Sequence, residues 1–260
     1  MSRLRLALVL STVLVTLVAC TPDKAKNGGN KADSLPAGDT LVQDSATAMR
    51  EIKSTKFLIT ADGEIAGLSL RRAEGTLTKE GSAKGTAQVV QAGATVELVF
   101  VIVGDKLYLK GPTGGYQTLP VTLAATVYDP SAILDPDRGI AKVLGSATGA
   151  KTEASEPVDG KDAWRVAVNT TGTELSGLIP GGTGSIPAKL WIAAADKRLL
   201  KATFTLSGGT ATVTFKEFDV PVTISALAPP PPRRHRRGGA WRSASVAPPS
   251  CWRPSTRTSW

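Results

Sequence analysis

The chain has 260 residues, 42% of them hydrophobic, with 31 Lys or Arg, 22 Asp or Glu, one His and two Cys, for a formal net charge of +9. That apolar content is enough to bury a core and excludes a collagen-like or fully disordered chain. The charge excess sits at the ends: Arg3 and Arg5 open the chain, and Arg233, Arg234, Arg236, Arg237, Arg242, Arg253 and Arg257 lie in the last 34 residues, where there is no acid. Removing those nine leaves 22 basic against 22 acidic residues between Cys20 and Ala226, so the body has no bulk charge with which to displace counterions from DNA or RNA, and no nucleic-acid partner is expected.

Met1–Ala19 reads as a secretory signal, with Arg3 and Arg5 as the positive region and Leu6–Val18 as an apolar run too short to span a bilayer comfortably. Leu17-Val18-Ala19-Cys20 has the form of a bacterial lipobox. In that resemblance Cys20 becomes the first residue of the mature chain and its sulfur carries a diacylglyceryl group. At roughly 0.8 kcal/mol per buried methylene, two or three acyl chains hold a protein on the extracytoplasmic face of the cell membrane almost permanently. With Cys20 so used, Cys251 stands alone and no disulfide framework is expected. Residues 21–38 carry Lys24, Lys26, Gly28, Gly29, Lys31 and Pro36 with little apolar content, a flexible tether reaching about 20–25 Å.

From Asp39 or Thr40 as cap, Val42, Ala46, Met49 and Ile52 at helical spacing predict a helix to about Ser54. The period then falls to two, predicting antiparallel strands at Lys56–Glu64, Glu74–Lys79, Gly85–Gln91, Ala94–Val103, Leu107–Gly111 and Tyr116–Leu119. Asp129-Pro130-Ser131 and Asp135-Pro136-Asp137 are turn or helix-start signals, with short helices expected at Pro130–Leu134 and Gly139–Ala147. Strand patterns return at Lys151–Pro157, Asp162–Asn169, Ala188–Ala194, Leu199–Ser207 and Thr210–Phe218, with a short helix at Thr171–Ile179. About eleven strands and four helices predict one α+β domain over 39–226, a large antiparallel sheet with its helices gathered on one side.

The chemistry of catalysis is thin. His235, the single histidine, lies in the terminal segment, and no G-x-S-x-G, P-loop or C-x-x-C spacing occurs, so no catalytic residue and no cofactor are expected. Gly181–Ser185 precedes Pro187 and a strand rather than opening a helix, which favours a solvent loop over a phosphate cradle. Asp129, Asp135 and Asp137 stand beside prolines, as turn and capping residues do, and no metal site is expected of them. Residues 227–260, with seven Arg, no Lys, Pro229–Pro232 and three of the five Trp, break with the body. They read as a disordered tail translated from a shifted frame, with a basic arm against anionic headgroups as the other reading.

What remains is apolar surface on a wide sheet with few aromatic residues to fill it, and period alone leaves open whether its layers close tightly or leave a hollow. At this point three stretches carry a resemblance: Gly63-Glu64-Ile65-Ala66-Gly67-Leu68-Ser69-Leu70, the run from Tyr128 to Leu144, and Pro187-Ala188-Lys189-Leu190-Trp191-Ile192. Over about Cys20–Ala226 the chain resembles the LppX/LprA/LprF/LprG lipoproteins of mycobacteria and their relatives, the LprG branch in particular. The resemblance implies a curved antiparallel half-barrel wrapped over helices, with an apolar cavity between the layers. It further implies an acylated lipid or glycolipid ligand, of the phosphatidylinositol mannoside, lipoarabinomannan or triacylglycerol class, carried outward across the cell envelope, and a major-facilitator efflux transporter as partner. By alternation, Phe57, Ile59, Leu77, Ala87, Val89, Val96, Leu98, Phe100, Ile102, Trp164, Val166, Leu190, Phe204 and Leu206 are expected to point inward as the cavity residues. Ala87 and Val89 are the sharpest candidates, since the matching strand in the family lines the cavity. A lipid-free module that presents its sheet to an envelope partner is the alternative.

Overall fold

The structure is a computed structural model that describes residues 35–124, 130–179 and 182–226. Its first element, α1 (Gly38–Arg50), buries Leu41, Val42, Ser45, Ala46 and Met49 along one stripe. Its N-cap is Ala37, which makes no side-chain capping bond, rather than Asp39 or Thr40. Gly38 explains this start: a Cβ there would lie 2.6 Å from the Ala150 carbonyl oxygen, so the first turn is seated against a strand. It also ends at Arg50, four residues before Ser54, because Ser54 already opens the first strand.

Six strands follow as a meander: β1 (Ser54–Gly63), β2 (Leu70–Thr78), β3 (Ala83–Gln91), β4 (Ala94–Val103), β5 (Lys106–Lys110) and β6 (Gln117–Pro120). A crossing segment holds α2 (Val121–Ala124), which the sequence pattern did not mark, a 3-10 turn at Pro130–Leu134, and α3 (Ile140–Ser146). The second meander is β7 (Thr148–Val158), β8 (Lys161–Thr171), β9 (Ser185–Ala193), β10 (Leu199–Leu206) and β11 (Gly209–Lys216), with α4 (Gly172–Leu175) between β8 and β9. Helix α4 is shorter than the expected Thr171–Ile179; Thr171 instead caps it, its hydroxyl accepting the Glu174 N–H.

All eleven strands form one antiparallel sheet in the order β6-β5-β4-β3-β2-β1-β11-β10-β9-β8-β7. The two meanders meet at β1 and β11, which pair over eight positions from Lys56↔Lys216 to Gly63↔Gly209. The crossing segment therefore runs from one outer edge of the sheet to the other, and α1 and α3 pack against each other across the face between. Twist curls so wide a sheet around that layer, giving a half-barrel with helices inside and water outside. Phe204, Phe215, Met49, Ile52, Leu190 and Ile192, each under 2% exposed or at it, form the centre of the core.

Strands β2 and β7 start earlier than alternation suggests, and bulges are the cause. In β2 the register shifts between Leu70 and Arg72, so that Leu70 and Ala73 both face inward at odd spacing. In β7 it shifts between Thr148 and Lys151 and again between Thr152 and Ala154. The β3–β4 hairpin closes through Ala92 at φ 49° and Gly93 at φ 79°. Both central residues are left-handed, which matches strand twist but disfavours alanine. Ala92→Asn should therefore stabilise the fold by roughly 0.5–1 kcal/mol and raise its melting temperature by a few degrees. A melting temperature at or below that of the parent would show that Ala92 carries no such strain.

Candidate functional site

The register fixes which side chains share the inner face. One inward row reads Leu109, Phe100, Gly85, Gly75, Phe57, Phe215 across β5, β4, β3, β2, β1 and β11. The next reads Leu98, Ala87, Ala73, Ile59, Val213, Ala202, Leu190 and Val166. Where α1, α3 and the 3-10 turn cover this face, packing is tight: Ile59, Ala73, Val166, Leu190 and Ala202 are all at most 2% exposed. Almost no space remains there, a cavity of about 10 Å³ bordered by Ile133, Ile140, Leu178, Phe204 and Val213.

The other half of the face differs. Leu68, Ala87, Val96, Leu98, Leu109, Leu119 and Val121 pack on the core yet stay half-buried. They are contiguous: Ala87 faces Leu98, Phe100 faces Leu109, and Leu107 faces Leu119. The strip thus runs diagonally from the β3–β4 turn to the β6 edge. Six residues of rise along β4 and two strand spacings make it roughly 22 Å long. It carries no charged side chain, and no three His, Cys, Asp or Glu groups gather for a metal among the described residues. What such a surface offers an apolar chain is shelter from water.

Of the fourteen residues expected to point inward, Phe57, Ile59, Leu77, Val89, Phe100, Ile102, Val166, Leu190, Phe204 and Leu206 are buried. Ala87, Val96, Leu98 and Trp164 are half-buried, the first three on the strip and Trp164 on β8 at the far side of the sheet. Leu109 and Leu119 were not among the expected inward residues although both strands were expected, since five and four residues show too few alternations to say which face is inward. Ala73, Gly75, Ala83 and Gly85 were missed as a group. Yet Ala-x-Gly-x-Leu at 73–77 and Ala-x-Gly-x-Ala-x-Val at 83–89 place small residues at every second position, which is a legible signal.

Below the strip, the crossing segment is clipped into shape. The Asp135 carboxylate accepts the N–H groups of Asp137 (2.9 Å) and Arg138 (3.0 Å) and pairs with the Arg138 guanidinium at 2.9 Å. Partial burial pushes the Asp135 pKa up, but these donors outweigh it and hold the carboxyl below its usual range. The group acts as a turn residue, as its place before Pro136 suggested. Gly139 fits against the Ile133, Asp135 and Ala132 carbonyl oxygens, where a Cβ would have no room. Asp129, Gly181, the signal with Cys20, and the arginine-rich segment 227–260 lie outside the described residues. Among those described, no helix is long and apolar enough to cross a membrane.

Comparison with known proteins agrees with this geometry. The chain is 32% identical over 236 residues, 87% of its length and 99% of the relative's, to the lipoarabinomannan carrier protein LprG of Mycobacteroides abscessus. It is 30% identical over 225 residues, 84% of its length and 95% of the relative's, to the protein of that name from Mycolicibacterium smegmatis. Among solved structures, LprF from Mycobacterium bovis superposes with a TM-score of 0.66 at 24% identity, covering 73% of this chain and 96% of that one. LppX from Mycobacterium tuberculosis gives 0.58 at 18% identity, covering 72% and 97%. Both share the half-barrel fold. The family model described as LppX_LprAFG lipoprotein matches residues 37–224, and the chain accordingly belongs to the LppX/LprAFG family of lipoproteins.

Proposed function

We propose that this protein is a carrier that shelters the acyl chains of a lipid or glycolipid and moves it outward across the cell envelope. The half-buried strip through Ala87, Val96, Leu98, Leu109 and Leu119 carries the reading. At roughly 22 Å it exceeds the acyl depth of one leaflet, about 15 Å, so a membrane lipid's chain fits along it. Sheltering 16 carbons is worth on the order of 10 kcal/mol, enough to offset extraction while a polar head stays in water. Relatives named as lipoarabinomannan carriers support a glycolipid of that class as the ligand. In this reading Met1–Ala19 is cleaved, Cys20 bears the lipid anchor, residues 21–38 form the tether, and the unit from 39 to 226 does the carrying. A major-facilitator transporter is the partner that would hand lipid on.

The test is mass spectrometry of organic extracts from the purified chain begun at residue 20 with Cys20→Ser, which removes the anchor. A co-purified acylated lipid near one per protein is the expected result. An empty, well-folded protein would support a lipid-free interaction module in its place.

A further inference from the structure

Strand β4 is apolar at six successive positions, Leu98 to Val103. Leu98, Phe100 and Ile102 face inward, so Val99, Val101 and Val103 face out, Val101 buried at 9% exposure and the other two half-buried. A run apolar on both sides marks a strand covered on both faces. On β11 the outer face is polar, with Thr210, Thr212, Thr214 and Lys216 outward, while on β8–β10 a small outer apolar cluster of Ala163, Ala193 and Leu200 is already covered by Val158, Trp191 and Phe218. Each outward valine has a lysine as its direct cross-strand neighbour, with Val99 beside Lys110, Val101 beside Lys84 and Val103 beside Lys106. Tyr108, itself buried, pairs with Val101 on the same face, and Tyr116, 38% exposed, lies 5.9 Å from Lys110 Nζ, measured to its ring centroid.

The two halves of the outer face, both with more basic than acidic residues, differ in how far those charges are paired. On β7–β11, Arg165 pairs with Glu153 at 2.9 Å and Glu156 at 2.8 Å, Lys189 with Glu153 at 3.1 Å, and Lys216 with Asp159 at 2.8 Å, while Lys151, Lys161 and Lys201 have no carboxylate at ion-pair distance among the described residues and the last two lie over the Phe218 and Trp191 rings. On β3–β6, Lys84, Lys106 and Lys110 are exposed and have no carboxylate at ion-pair distance among the described residues, and Glu97 is the one acid on those strands. Val99 and Val103, half-buried and framed by exposed lysines and Tyr116, suit the interface of a bilayer, where ammonium groups meet anionic headgroups and an amphipathic ring sits at headgroup level. Nucleic acid would be served by the lysines but not by the valines.

We propose that the outer face of β3–β5, framed by Lys84, Lys106 and Lys110, docks on an anionic lipid bilayer. Docking there turns the β6 edge, where the inner strip ends, toward the membrane. The surface is independent of whether the strip holds lipid.

The test uses the chain begun at residue 20 with Cys20→Ser, sedimented with vesicles of phosphatidylglycerol and phosphatidylcholine or of phosphatidylcholine alone. K84E/K106E/K110E should lower partition onto the anionic vesicles at least tenfold, and K106E alone about fivefold. A control of equal charge, K142E/K151E/K161E, should lower it far less. Equal losses in the two triple variants would assign the attraction to net charge, including the arginines of 227–260, and overturn the proposal. So would undiminished binding in K84E/K106E/K110E, or equal binding to phosphatidylcholine alone.

Discussion

Gly85→Val is expected to abolish folding at 37 °C, although glycine here adopts no unusual backbone angle. Gly85 faces Gly75 across β2 and β3, and a Cβ on Gly85 would meet the Glu74 carbonyl oxygen and stand 2.8 Å from the Gly75 Cα. Both are backbone atoms of a paired strand and cannot swing aside as a side chain can. Overpacking of ordinary cores costs about 1–3 kcal/mol, and a clash with backbone lies at or beyond the upper end. That is a large share of the roughly 5–15 kcal/mol that holds a domain together. Even Gly85→Ala should lower the midpoint of urea unfolding strongly. Gly114→Ala is the comparison, since nothing stands within 4 Å of its Cβ. Equal midpoints for Gly85→Ala and the parent would show that β2 and β3 do not approach so closely.

Ala87→Trp tests the strip itself. Ala87 lies between Ala73 and Leu98 on the inward face, half-buried, so an indole can enter the strip without displacing the packed core below. It would bring roughly 150–250 Å² of aromatic surface into the space claimed for an acyl chain. We expect lipid recovered per protein to fall at least tenfold, while the far-ultraviolet circular dichroism and the melting temperature stay near those of the parent. Lipid recovery unchanged in a folded variant would refute the strip as the binding surface. Phe204→Ala gives the contrasting outcome: at 1% exposure it sits in the packed half, and its loss should cost about 3–5 kcal/mol of stability.

The strands were legible because one face is dry and the other wet, so Phe57, Ile59 and Ala61 alternate visibly with Lys56, Thr60 and Asp62. Legibility failed where covalent period and spatial period part. The β2 bulge places Leu70 and Ala73 on one face at a spacing of three, and counting by twos starts the strand at Glu74. Pro187 delayed the expected start of β9 to Ala188, since proline lacks a ladder donor. It is tolerated because β10 pairing ends at Ala188↔Phe204, leaving Pro187 with a neighbour only on the β8 side. For the site, alternation identified inward residues but not which half of the face is covered. Coverage depends on where α1, α3 and the 3-10 turn lie, and that is set by the connection between the two sheet edges rather than by any local pattern.

The seam between β1 and β11 joins the first strand of the domain to the last, across some 150 residues of intervening chain. Closing so long a loop is slow, and neither meander can complete its inner rows without the other. A chain emerging N-terminus first would therefore expose β1–β6 long before β11 arrives to zip them shut. In the proposed reading, with Met1–Ala19 as an export signal, the sheet would close only once its final strand is across.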